Sequence, residues 1–206
     1  MPRPLILASS SPGKLREFES FFRDHIPGWR LRLKPAELEV EETGATFAEN
    51  ALLKATTVAK ALGEWTLADD SGLSVRALNG APGIHSARYA PTDAARIERL
   101  LREMDGIPNL ATRGAEHPRE ATFHCALALV DPQGQVRALA EGVCQGQILT
   151  QPQGRGGFGY DPLFWVPELG LTFAEMSPAQ KEELGHRGQA LRALKEQLLI
   201  LGTSLG

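Results

Sequence analysis

Apolar residues recur along this chain with two different periods, and the switches between them lay out its elements. The continuous run Pro4-Leu5-Ile6-Leu7-Ala8 predicts a buried strand. After the polar stretch Ser9-Ser10-Ser11, the apolar positions Leu15, Phe18, Phe21 and Phe22 fall at helical spacing, with Glu17, Glu19 and Arg23 between them. Ser11 suits the N-cap of that helix and Pro12 its first position. Trp29-Arg30-Leu31-Arg32-Leu33 alternates, which predicts a half-exposed strand limited by Pro35. Phe47, Ala51, Ala55, Val58, Ala59 and Leu62 mark a second helix closed by Gly63, with Thr46 and Glu49 spaced as a capping box. Trp65, Leu67 and Ala68 then form an apolar strand that ends in Asp69-Asp70-Ser71-Gly72, and Leu73 and Val75 suggest a further short strand. Asn79-Gly80-Ala81-Pro82-Gly83 predicts a turn and Ile84 to Tyr89 a loop, while Ile97, Leu100, Leu101 and Met104 define a helix ending near Gly106. Ala121, Phe123, Cys125, Leu127 and Leu129 alternate strictly, with His124 among the outward positions. Asp131-Pro132-Gln133-Gly134 turns that strand into a partner from about Gln135 to Cys144. Leu163 to Val166 is a last apolar strand, and Ser177-Pro178 opens a C-terminal helical stretch carrying Leu191, Leu194 and Leu198.

Chemistry-bearing residues cluster at six places in this pattern. A buried strand ending in Asp69 and Asp70 delivers carboxylates to the rim of a sheet, although Asp-Ser-Gly is also ordinary turn chemistry. Neighbours on a strand face opposite sides, so these two acids should do different jobs. Ser9, Ser10, Ser11, Pro12, Gly13 and Lys14 join a strand to a helix, where unpaired N–H groups and the helix dipole favour an anion. The Walker spacing is absent, and a capped helix with a surface lysine fits the same residues. Glu37, Glu39, Glu41 and Glu42 form either a solvated loop or a source of one acid that joins Asp70 around a divalent cation. Asn50 and Lys54 lie four apart, on one face of the second helix. Gly154-Arg155-Gly156-Gly157-Phe158-Gly159-Tyr160-Asp161-Pro162 is either a tight loop with core aromatics or a platform for a planar ligand. Lys181, His186 and Arg187, with Gly185 beside them, make a binding corner or a charged helix face.

Composition narrows the classes. A chain of 206 residues can bury a large core in one domain or in two closely joined lobes. The net charge of −3 argues against a general nucleic-acid binder, but a few placed donors can still hold a phosphate. Cys125 and Cys144 lack metal-ligand spacing and read as buried, reduced thiols. No apolar run approaches the ~20 residues of a membrane span, and the N-terminal run is short for a secretory leader, so a soluble cytoplasmic protein is expected.

Six blocks in order resemble the inosine/xanthosine triphosphate pyrophosphatase family. They are Ser9 to Lys14; Glu41-Glu42-Thr43-Gly44 with Thr46 to Ala51; Ala68 to Leu73; Gly80-Ala81-Pro82-Gly83 with Ser86 to Tyr89; Gly156 to Pro162; and His186-Arg187-Gly188-Gln189-Ala190-Leu191. Two stretches depart from the family pattern: the first loop, usually Thr-x-Asn-x-x-Lys, is Ser9-x-Ser11-x-x-Lys14, and Gly185 stands where Ser often precedes the His-Arg pair. The opening Leu7-Ala8-Ser9-Ser10-Ser11-Pro12 also resembles Maf-type nucleotide pyrophosphatases, which lack the Phe-Gly-Tyr-Asp and His-Arg blocks.

The resemblance implies an α/β fold over residues 1–206: a long mixed, twisted sheet flanked by helices, in two lobes with a central nucleotide-binding cleft. It implies hydrolysis of ITP, dITP or XTP between the α and β phosphorus atoms, with Mg2+ as cofactor and a homodimer as the assembly. Asp70 would be the base or metal-anchored activator of water, with Glu41 or Glu42 sharing the metal and Asp69 either supporting the site from behind or serving as an alternative metal contact. Ser9 to Lys14, with Lys54 and Lys181, would hold the triphosphate, and Ser71 would touch phosphate or sugar. Phe158, in the Gly159-Tyr160-Asp161 loop, would stack on the base, with Asp161, His186 and Arg187 at its edge. Arg187 or a backbone N–H aimed at the 6-keto oxygen would refuse adenine. A Maf-type enzyme of other specificity and a non-catalytic nucleotide-binding protein are the alternative readings.

Overall fold

A computed structural model describes residues 2–108 and 119–203. Its strands are β1 (Arg3–Leu7), β2 (Trp29–Leu33), β3 (Thr66–Val75), β4 (Glu120–Val130), β5 (Val136–Ile148), β6 (Phe164–Val166) and β7 (Leu171–Thr172). Its helices are α1 (Pro12–His25), α2 (Phe47–Leu62), α3 (Asp93–Asp105), α4 (Pro178–Leu184) and α5 (His186–Thr203). The strands pair in the order β2-β1-β3-β4-β5-β6-β7. β1 runs parallel to β2 and β3, whereas β6 is antiparallel to β5 and β7, so the sheet is mixed and the fold is α/β.

Local chemistry sets the helix starts. Ser11 Oγ accepts from Lys14 N at 3.3 Å and Pro12 follows in the first turn of α1. Thr46 Oγ1 accepts from Glu49 N at 3.1 Å, while Glu49 reaches back to Ala45 N at 2.7 Å rather than to the cap's own N–H. Gly63 ends α2 in the left-handed conformation, with φ of 64°.

Two expectations change. Asp69 and Asp70 do not end a strand: β3 continues through them to Val75, because partners on both faces of the strand receive the two carboxylates. Nor does the Ala121–Leu129 alternation separate a buried face from a wet one throughout. From Cys125 onward every residue of β4 is buried, since helices cover both faces there.

The chain divides into two compact units, one comprising Met1–Asp70, Cys125–Gly142 and Glu182–Gly206, the other Ser71–His124 and Val143–Lys181. In the first unit, Leu5 and Leu7 of β1 join Leu67, Leu127 and Leu129 in a core with Phe18 and Phe21 of α1 and Leu191 and Leu194 of α5. Ile6 and Ala8 join Ala68, Ala126 and Ala128 in a separate core with Ala51, Ala55 and Val58 of α2. Alternation along β1 thus sends Leu5 and Leu7 to α1 and α5, and Ile6 to α2. The second unit packs around Phe123, Phe164 and Phe173, whose ring centroids lie 4.6 to 5.4 Å apart.

Each unit holds one buried free cysteine, Cys125 in the first and Cys144 in the second. Burial pushes the Cys125 thiol well up, and Cys144 to about 11. The thiolate is the reactive form, so at pH 8 an aromatic disulfide reagent is expected to label neither cysteine until denaturant is added. Stoichiometric labelling of the native protein within minutes is the contrary result. Among the described residues, no helix is long and apolar enough to cross a membrane.

Candidate active site

In the first unit, Asp70 of β3 meets Lys54 from the middle of α2. The Lys54 ammonium donates to Asp70 Oδ1 at 2.6 Å and to Glu42 Oε1 at 2.8 Å. Burial would lower the pKa of this lysine, but the two carboxylates outweigh burial and raise it. Burial pushes the Asp70 carboxyl above its usual range, against the pull of Lys54. Asp70 Oδ2 is buried and has no hydrogen-bond partner among the described residues. Leaving such an acceptor unfilled costs about 1–3 kcal/mol, so the site is poised for a cation or an ordered water.

Asp70 and Glu42, joined through Lys54, offer the one or two protein carboxylates that Mg2+ takes while phosphate and water complete its shell. Among the described residues, no group of three or more His, Cys, Asp or Glu could hold an ion by itself. Of the two expected glutamates, Glu42 is the one brought to Lys54, while Glu41 is exposed.

Asp69 is turned to other partners. Its side chain is fully buried, with Oδ1 accepting from Lys14 Nζ and Oδ2 accepting from Arg187 Nε at 2.7 Å and from Cys125 Sγ at 3.3 Å. Arg187 Nη1 also donates to Glu17 of α1. Burial would raise the Asp69 pKa, but Arg187 and Lys14 hold it well below the usual carboxylate range. Burial opposes charge on Arg187 too, and Asp69 and Glu17 outweigh it. This network joins α1, β3, β4 and α5. Asp69 accepts from protein donors on both oxygens, and Arg187 turns Nε to Asp69 and Nη1 to Glu17. Glu17 and Cys125 were not among the expected site residues. The available signal was weak: Glu17 lies three residues from Lys14, hence on its face of α1.

The expected phosphate loop leads from β1 into α1. Ser9 Oγ accepts from Ser11 N at 3.1 Å, Ser11 caps α1, and Ser10 is exposed. No acid occupies the first turn, so Pro12, Gly13 and Lys14 lie at a helix end whose positive pole is not neutralised locally. His186 is buried at the start of α5, where a Cβ on Gly142 of β5 would collide with its carbonyl oxygen.

In the second unit, Asp161 organises the glycine-aromatic loop. Its Oδ2 accepts from Phe158 N at 2.8 Å and from Lys181 Nζ at 2.6 Å. The Lys181 ammonium lies 4.9 Å from the Phe158 ring centroid, and a Cβ on Gly157 would run into Asp161 Oδ2. Gly159 N donates to Asp93 Oδ2 at 2.7 Å. Phe158 is half-buried, whereas Tyr160 is buried and donates its hydroxyl to Ser86 O at 3.0 Å. Tyr160 is therefore a core residue, not a second aromatic platform. Lys181 is held by Asp161 in the second unit, and Arg187 by Asp69 in the first. Ser71, which begins the second unit, is half-buried.

Known proteins match this chain along nearly its whole length. It is 52% identical over 204 residues to the dITP/XTP pyrophosphatase of Nostoc sp., covering 99% of this chain and 98% of that one. It is 47% identical over 193 residues to the dITP/XTP pyrophosphatase of Synechocystis sp., covering 94% of each. Among solved structures, a HAM1 protein from Coxiella burnetii superposes with a TM-score of 0.80 at 40% identity, covering 96% of this chain and 98% of that chain. The Ham1 protein of Staphylococcus aureus gives 0.78 at 39% identity, covering 95% and 98%. A sequence model of the Ham1 family matches residues 5–197, and the chain belongs to that family.

Proposed function

We propose that this protein hydrolyses non-canonical purine nucleoside triphosphates, dITP, XTP and ITP, to the monophosphate and pyrophosphate. The observation that carries the reading is the Asp70–Lys54–Glu42 cluster with its unfilled carboxylate oxygen, and the names of the similar cyanobacterial proteins agree with it. Asp70 accepts a proton from the attacking water, a task helped by a carboxyl pKa raised through burial. One water adds at the α-phosphorus, the α–β bridging bond breaks, and pyrophosphate leaves. Lys54 supplies positive charge beside the reacting groups and keeps Asp70 and Glu42 from repelling each other. Mg2+ bound by Asp70 and Glu42 would spread charge from the phosphate oxygens. Ser9 to Ser11 and the α1 N-terminus supply donors to the triphosphate, with Lys14 held nearby by Asp69. In keeping with the family resemblance, the working assembly is a homodimer in the cytoplasm.

The Phe158 loop takes the base. A purine stacked on Phe158 meets Lys181, whose N–H groups favour a 6-keto acceptor over a 6-amino donor. This moves the discriminating donor from Arg187 to Lys181. Phe158→Ala is expected to lower kcat/KM for dITP about 10–100-fold, mostly through KM, as base–aromatic stacking of about 1–3 kcal/mol implies. An unchanged KM would remove Phe158 from the site. The deciding assay incubates the protein and Mg2+ with ITP, XTP, dITP, ATP and GTP and identifies the products. Pyrophosphate from the first three, with little turnover of ATP or GTP, supports the proposal. Release of orthophosphate refutes the bond assignment, and tight binding without turnover favours a nucleotide-binding protein instead.

A further inference from the structure

A hydrogen-bonded latch lies at the foot of α2, away from the reacting groups but joined to them by the chain. Asn50 is completely buried, and its Oδ1 accepts from Gly44 N at 2.8 Å. That bond fixes which end of the amide is which, because only the oxygen can accept. The other end, Nδ2, is buried without a partner among the described residues. Space around the latch is closed: a Cβ on Gly44 would lie 2.7 Å from Asn50 Oδ1, 2.8 Å from Glu49 Cβ and 2.9 Å from Asn50 N. Ala45 N is tied to Glu49 Oε2 at 2.7 Å in the next step of the chain. Two residues before Gly44 stands Glu42, whose Oε1 accepts from Lys54. Asn50 and Lys54 lie one turn apart on α2, so one helix face holds the backbone of the acidic segment at Gly44 and its carboxylate at Glu42.

We propose that Asn50, acting through Gly44, is a positioning residue that sets Glu42 beside Lys54 and Asp70 for binding the divalent cation. An amide with an unfilled buried donor is not the stabilising choice for an interior helix position, so overall stability does not account for Asn50. Its accepting oxygen holds the close approach that only a glycine at position 44 permits. The inference rests on the reading of Asp70 and Glu42 as the metal-binding acids.

The test measures Mn2+ binding by loss of the free-ion electron paramagnetic resonance signal, in a buffer free of phosphate and other chelators, on wild type, Asn50→Ala, Gly44→Ala, Glu42→Gln and Asn50→Ala/Glu42→Gln. Gly44→Ala leaves Asn50 in place and lies before α2, so it keeps the test open should Asn50→Ala fail to fold. The two latch variants are expected to raise the Mn2+ dissociation constant on the order of 10-fold, with melting temperatures within a few degrees of wild type, since groups that orient a metal ligand typically carry 10–100-fold in affinity. The double variant is expected to bind no more weakly than Glu42→Gln alone, because both changes act through one carboxylate. If Glu42→Gln weakens Mn2+ while both latch variants bind as wild type, the latch role is overturned and the metal site stands. If Glu42→Gln leaves Mn2+ binding unchanged, the metal reading of Glu42 is overturned and the latch role goes with it. A double variant weaker than Glu42→Gln by the full Asn50→Ala factor also overturns the proposal, since Asn50 would then act independently of Glu42.

Discussion

Asp70→Asn is expected to lower kcat for dITP about 1,000-fold or more while the protein stays folded. The size follows from the role: a positioned general base contributes roughly 10²–10⁴-fold, and the change also removes a charged metal ligand. The fold survives because asparagine keeps the shape of the side chain and Lys54 keeps Glu42 as its counter-charge. The same change removes a buried carboxylate that the fold holds at a raised pKa, which offsets part of the lost ion pair. Steady-state kinetics and a thermal melt on the same preparation check both halves. Activity within tenfold of wild type would falsify the assignment of Asp70, and gross unfolding would make it a structural residue instead.

One residue away, the opposite pattern is expected. Asp69→Ala should unfold about 10 °C below wild type. Asp69 is fully buried and is the shared counter-charge of Lys14 and Arg187. Removing it takes from Arg187 the carboxylate at its Nε, leaving the bond to Glu17, and takes from Lys14 its carboxylate partner. Breaking a buried ion pair from one side costs about 3–5 kcal/mol, because the stranded cation stays out of water. For a domain of this size each kcal/mol moves the melting point by about 2–4 °C. Differential scanning calorimetry with and without Mg2+ provides the check. A variant that melts within about 2 °C of wild type, yet no longer responds to Mg2+, would return Asp69 to the metal site.

Much of the fold was legible from the chain. Helix starts at Pro12 and Phe47 are set by Ser11 and Thr46, whose side chains bond N–H groups three residues on. The end of α2 is set by Gly63, and the β4–β5 turn by Asp131, whose carboxylate accepts from Gln133 and Gln135 N–H. Such signals are readable because both partners lie within a few residues. Misreadings share the converse cause. The end placed on the strand at Asp69 overlooked that buried cations on other elements let a strand run on through two acids. Tyr160 and Phe158 are alike in sequence, yet Ser86, distant in the chain, draws one of them into the core.

Period-two geometry by itself determined that Asp69 and Asp70 must face opposite sides and serve different ends. It also determined that Lys54 and Asn50 share one helix face. Which acid does which job was decided only by tertiary packing. Leu67 lies in the core shared by α1 and α5, and Asp69, two residues on, receives Lys14 from α1 and Arg187 from α5. Ala68 lies in the core with α2, and Asp70 receives Lys54 from α2. Alternation along a strand is a property of its own backbone, whereas the helix that covers each face is chosen by contacts across the chain.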